Sequence, residues 1–92
     1  MQVNGSISFW AAFDELAEDD PRRREILDIG FALTEGDPRL PGARPQVWPV
    51  GKASHAGYAL ELADGSGFLA YAIITHPVTR RIHIGLLYLV WY

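Results

Sequence analysis

Four side chains able to hold phosphate or move a proton crowd one short stretch: His76, Arg80, Arg81 and His83. An imidazole exchanges its proton near neutral pH, and a guanidinium presents a fixed fork of donors to an anion. Side chains alternate along a strand, so Arg81 and His83 would share one face. The group suits a phosphate or an acidic partner. It suits equally a solvated turn whose charges discourage edge pairing. Lys52 and His55 lie in a glycine-containing stretch upstream, and together with Arg80 and Arg81 they would form one basic patch.

Other chemistry finds little support. No two histidines have tight metal-ligand spacing and there is no cysteine, so no metal site is expected. No cofactor is expected either, because no GxGxxG, P-loop, nucleophile elbow or HExxH is present. Asp14-Glu15 and Glu18-Asp19-Asp20 fit a solvated helix face rather than paired catalytic carboxylates. Arg22-Arg23-Arg24 stands where a helix begins, an end that disfavours positive charge, so pairing with the neighbouring acids is expected.

Charge is unevenly spread. Residues 1–37 hold nine acids against three bases, a net of −6; residues 38–92 hold five bases against two acids, a net of +3. The chain as a whole carries −3, which gives nucleic-acid binding only weak support. At 49% hydrophobic and 21% charged, 92 residues suffice for one folded domain. The absence of cysteine fits a reducing cytoplasm, and MQVNGSISFW has neither a basic leader nor a long apolar run. The apolar run Ile84 to Tyr92 is shorter than the ~20 residues a membrane helix needs. A cytoplasmic protein away from the membrane is therefore expected.

The elements that must position these residues follow from pattern. A short strand around Val3 ends near Asn4-Gly5. Ser6 or Ser8 then caps a helix whose stripe is Phe9, Phe13, Leu16 and Ala17. Asp20-Pro21 starts a second helix running to about Glu35, with Gly36 and Asp37-Pro38 as its stop. With so little between them, the helices should form an antiparallel hairpin. Residues 37–57 hold four of the six prolines and read as a loop. Tyr58 to Leu62 alternates as a half-buried strand, and Asp64-Gly65-Ser66-Gly67 turns the chain. Two long strands follow, Phe68 to His76 and Ile82 to Tyr92, separated by Pro77-Val78-Thr79-Arg80.

The expected fold is thus α+β: an N-terminal antiparallel helical hairpin packed on one face of a three- to four-stranded antiparallel sheet. The last strand is apolar on both sides. Uninterrupted alternation puts Ile82, Ile84, Leu86, Tyr88 and Val90 on one face and Leu87, Leu89 and Trp91 on the other. Two helices cover one face only. The second must curl in on itself, meet a partner through Leu87, Leu89 and Trp91, or pair with another copy in a homodimer.

Several stretches resemble the RelE/ParE superfamily of toxin–antitoxin toxins. Phe13-Asp14-Glu15-Leu16 and Asp20-Pro21-Arg22-Arg23-Arg24-Glu25-Ile26-Leu27 look like its first helix and the basic start of its second. Leu33-Thr34-Glu35-Gly36-Asp37-Pro38 and Gly42-Ala43-Arg44-Pro45 look like the helix end and the loop after it. Gly57-Tyr58-Ala59-Leu60-Glu61-Leu62 and Phe68-Leu69-Ala70-Tyr71-Ala72-Ile73 are similar to its middle strands. The resemblance spans residues 9–92 and implies a toxin that binds a macromolecular target and is neutralised by a protein antitoxin. Where the family's ribosome-dependent RNases commonly carry a strand arginine, this chain has Phe68, and Leu89 and Val90 stand near the end of the last strand where many carry Arg or His. The gyrase-binding ParE branch, which needs no cleavage site, fits better. A non-toxic interaction domain that dimerises through its C-terminal strand is the alternative. An mRNA endonuclease built on Arg81, His83 and Tyr92 comes third.

Overall fold

The computed structural model describes residues 1–92. Seven elements follow one another: β1 (Gln2–Gly5), α1 (Ile7–Asp14), α2 (Pro21–Thr34), β2 (Arg44–Val50), β3 (Ala53–Glu61), β4 (Gly67–Thr75) and β5 (Ile82–Trp91). They build one sheet in the order β1-β5-β4-β3-β2. β1 runs parallel to β5, and the other neighbours are antiparallel. The expected three- or four-stranded antiparallel sheet is therefore a mixed sheet of five strands. No helix is long and apolar enough to cross a membrane.

The expected helical hairpin does not form. Ser6 caps α1 by accepting the Phe9 N–H on its Oγ at 3.0 Å, but the helix stops at Asp14 after 8 residues. Leu16, assigned by pattern to the helix stripe, lies in the connection, and its N–H folds back to the Phe13 carbonyl. Asp20 caps α2 and Pro21 opens it, as the sequence indicates. Six residues separate the helices, and α1 is too short to run alongside α2. Each packs on the sheet instead, α1 against β5 and α2 beside β1.

The main core lies between helices and sheet. Phe9, Phe13, Leu16, Ile26 and Leu33 meet Leu60, Leu69, Tyr71, Ile84, Leu86 and Leu89. Tyr71 is wholly buried and donates its hydroxyl to the Pro38 carbonyl, which ties the loop after α2 to the sheet. Burial pushes the Tyr71 phenol up to about 12.

One extra residue changes the reading of the last strand. Ala70 pairs with Tyr88 and Tyr71 with Leu86, so Leu87 bulges out of the β4–β5 ladder. A bulge interrupts alternation, because two residues oppose one. Ile84, Leu86, Leu89 and Trp91 consequently share the helix side. His83, Gly85, Leu87, Tyr88 and Val90 take the other side. Leu87, Leu89 and Trp91 do not form one face.

The second face is curled in upon itself. The stretch containing Trp48, expected to be loop, is strand β2 despite Pro45 and Pro49. Trp48 reaches back over Gly57, where an added Cβ would sit 2.9 Å from the indole and 2.1 Å from the Tyr71 carbonyl oxygen. Its Nε1 donates to the Tyr58 carbonyl at 3.1 Å. Its ring meets Phe68 and Tyr88 with centroids 6.4 and 6.2 Å away. The tip of the β2–β3 hairpin comes down near Ser6, Ser8 and Leu87. Beneath this cover Ala59, Ala70, Ala72 and Leu87 are buried. The alanines, with Gly57, leave room for the indole to lie across the sheet.

Candidate protein-binding surface

An uncovered apolar groove lies on the helix side of the sheet. β1, α1 and α2 enclose a groove of about 220 Å³. Val3 and Gly5 form its floor, and Trp10, Leu27 and Phe31 rise from the helices around it. These three are 43%, 44% and 72% exposed. Gly5 is required there: an added Cβ would fall 2.4 Å from Trp10 Nε1 and 2.8 Å from a Phe9 ring carbon. Phe9, Trp10 and Phe13 hold one another edge-on or stacked, with Phe9 and Trp10 centroids 4.9 Å apart. Burial of the Phe9 anchor therefore fixes the position of the exposed indole.

The sequence pattern missed this groove. Trp10 and Phe31 fall beside the helix stripes, where they read as flanking core residues. The groove lies between the start of α1, at Phe9 and Trp10, and the later turns of α2, from Ile26 to Thr34. Gly30 leaves part of this space open, since a Cβ added there would meet nothing within 4 Å.

The basic patch does not assemble. Lys52 sits in the β2–β3 turn and His55 on β3, while Arg80 and Arg81 occupy the β4–β5 turn. β3 leaves β4 beyond the Gly57–Ala72 pair, and the tip of the β2–β3 hairpin lies beside Ser6, Ser8 and Leu87 rather than beside the β4–β5 turn. His76 has a structural role. Its Nδ1 accepts the Val78 and Thr79 N–H groups, both at 3.2 Å, and its backbone closes the turn with Arg80 and Arg81. Arg80 is the one non-glycine residue with positive φ, at 61°.

Arg81, His83 and Tyr92 are not gathered into one site. His83 is the second residue of β5 and Tyr92 follows its other end, roughly 30 Å away along the strand. Tyr92 Oη donates to Glu61 Oε1 at 2.8 Å, and Arg44 stands 3.7 Å from the same oxygen. The acceptance by Glu61 raises the Tyr92 phenol above its ordinary value. Phe68 belongs to the aromatic cover of the second face, its ring centroid 6.0 Å from that of Tyr92.

The residues expected to meet a partner are largely occupied. Leu87 and Leu89 are each 7% exposed, on opposite faces. Trp91 is half-buried beneath the Arg22 guanidinium, 5.1 Å from its ring centroid. β5 lies between β1 and β4, so the C-terminal strand has no free edge through which to dimerise.

All three arginines at the start of α2 are engaged within the chain. Arg22 grips both Asp20 oxygens, at 2.6 Å from Nη2, and donates to Ser66. Arg23 donates twice to the Leu16 carbonyl and lies over Phe13. Arg24 pairs with Asp28 at 3.1 Å. The side-chain bond from Arg22, with its backbone N–H, holds the Asp20 carboxyl down at about 2.

No known protein family, no curated protein and no solved structure matches the chain.

Proposed function

We propose that this chain works by binding another protein in the groove between β1, α1 and α2, as the toxin-like member of a pair whose partner neutralises it there. The observation that carries the binding role is the contiguous exposure of Trp10, Leu27 and Phe31 around that groove. A surface of this kind gains when a partner removes it from water, at ~25 cal/mol per Å². Aromatic anchors set in a pocket are the usual centres of such contacts. The assignment to a toxin–antitoxin pair rests on the sequence resemblance alone.

The test is genetic and biochemical. Induced expression of this chain alone should arrest growth, and the product of an adjacent short reading frame should relieve the arrest and co-purify with it. Replacing both Leu27→Ser and Phe31→Ser should abolish co-purification while leaving the circular dichroism spectrum unchanged. Unimpaired growth defeats the toxin assignment. A complex that survives the double replacement defeats the groove.

A further inference from the structure

The sheet has two free edges, and they differ in what they offer. Just past β3 the N–H of Leu62 donates to the Gly67 carbonyl, which sets the hydrogen-bonding phase of the neighbouring ladders. By that phase the outward backbone groups of β2 belong to Pro45, Val47 and Pro49. Two of the three have no N–H to give, so this edge is blunted. At the other edge the Ser6 N–H donates to the Leu86 carbonyl at 2.9 Å. Gln2 and Asn4 therefore turn their groups toward β5, and Val3 and Gly5 turn theirs outward. Both carry an N–H and a carbonyl with no partner in the chain.

We infer that β1 is the receiving edge for an extended, positively charged segment of another protein, which joins the sheet as a sixth strand. This rests on the groove reading above and adds how the partner lies. Three observations converge on that occupant. The Val3 and Gly5 backbone groups supply the ladder. The groove beside them takes alternate apolar side chains, since Val3 and Gly5 are its floor. The half of the chain that supplies β1, α1 and α2 carries a net −6 from its side chains, and its three arginines, like the Met1 amine on the Thr34 carbonyl, are already engaged. The same charge opposes a second copy of this chain, whose β1 would bring another −6 against the first.

The partner segment should thus read as alternating Lys or Arg with Val, Ile, Leu or Phe. The test uses the full chain with three synthetic octapeptides: RVKLRVKI, its acidic twin EVDLEVEI, and a rearranged RKRKVLVI of the same composition as the first. Titration is followed by Trp fluorescence and by amide resonances. The basic alternating peptide should bind, slow hydrogen exchange at the Val3 and Gly5 amides at least tenfold, and weaken severalfold between low and physiological salt. Val3→Pro removes one outward donor without touching a bond to β5, and should cost at least fivefold in affinity. Its melting curve confirms that the fold is retained.

Equal binding by the acidic or rearranged peptide overturns the inference, as does no binding by the basic one. Protection of Val3 and Gly5 without peptide, rising with protein concentration, overturns it in favour of a second copy. If Leu27→Ser with Phe31→Ser abolishes peptide binding but Val3→Pro does not, strand addition is wrong and the groove reading stands. If neither has an effect, both are wrong.

Discussion

Trp48→Ala tests whether the second face of the sheet is truly closed by the chain itself. The indole is half-buried, stacks on Phe68 and Tyr88, and spans the glycine and alanine floor of β3 and β4. A tryptophan side chain can bury up to ~250 Å². Covering roughly half of that, ~125 Å², contributes about 3 kcal/mol at ~25 cal/mol per Å². Compactness of the unfolded chain trims the figure, and the two aromatic contacts restore ~0.5–1.5 kcal/mol each. A loss of about 3 kcal/mol is therefore expected. Urea denaturation measures it, and Val47→Ala is the internal control. Val47 lies next to Trp48 on the same strand but is 62% exposed, so its truncation should cost under ~0.5 kcal/mol. Loss of the indole should also uncover Phe68 and Leu87, raising binding of a hydrophobic dye. A loss below ~1 kcal/mol with no gain in dye binding would refute the reasoning. The curled hairpin would then contribute nothing, and the second face would need a cover from outside.

Arg80→Gly should stabilise the protein by ~0.5–1 kcal/mol, because its backbone occupies the left-handed region that costs side-chain-bearing residues ~1–2 kcal/mol; thermal melting reads the gain, and a lower melting temperature counts against the turn geometry. Tyr71→Phe should cost ~1–3 kcal/mol by leaving the Pro38 carbonyl without its buried donor, measured by the same denaturation curve. The Asp20 carboxyl is held down at about 2, below its ordinary value of 3.8, so the stability it contributes is present above pH 4 and is lost as pH falls toward 2. Asp20→Asn, which keeps the cap, should flatten that part of the acid limb in a pH series of melts. An unchanged acid limb would show that the Arg22 pairing is not formed in solution.

Where the residues carry strong local signals, sequence and structure meet. Asp20-Pro21 begins α2, and the Ser6 hydroxyl caps α1. The misreadings have physical causes. A bulge leaves no mark in a strand whose residues are apolar on both sides, since slipping by one exchanges a leucine for a leucine. Alternation alone therefore grouped Leu87 with Leu89 and Trp91. Prolines argue against a central strand but not against an edge, and Pro45 and Pro49 sit where their missing N–H groups would have pointed outward. The helical spacing of Leu16 continued past Asp14 only in projection; it reaches the core from a turn. The groove was hidden for a different reason. Exposure of Trp10 and Phe31 depends on how the two helices sit on the sheet relative to each other, a tertiary fact that no periodicity reports.

The two edges of the sheet also explain why an acidic chain with so much apolar surface can remain discriminating. An unpaired strand edge attracts any extended segment, including its own copies. At β2 the hazard is met by removing donors, with Pro45 and Pro49 on either side of Val47. At β1 the donors remain, and Gly5 cannot be enlarged without displacing Trp10. Selectivity there must come from charge. The arginines of α2 are turned inward on Asp20, Leu16 and Asp28, which leaves Asp14, Glu15, Glu18, Asp19 and Glu35 as the acids of this half that hold no partner in the chain. Like charge repels a second copy over ~8–10 Å at physiological salt, while a cationic segment is drawn in. Neutralising that half, for example by Glu15→Gln with Glu18→Gln, should weaken the attraction for a basic strand and relax the barrier to self-pairing together. A change in one without the other would mean that charge does not guard this edge.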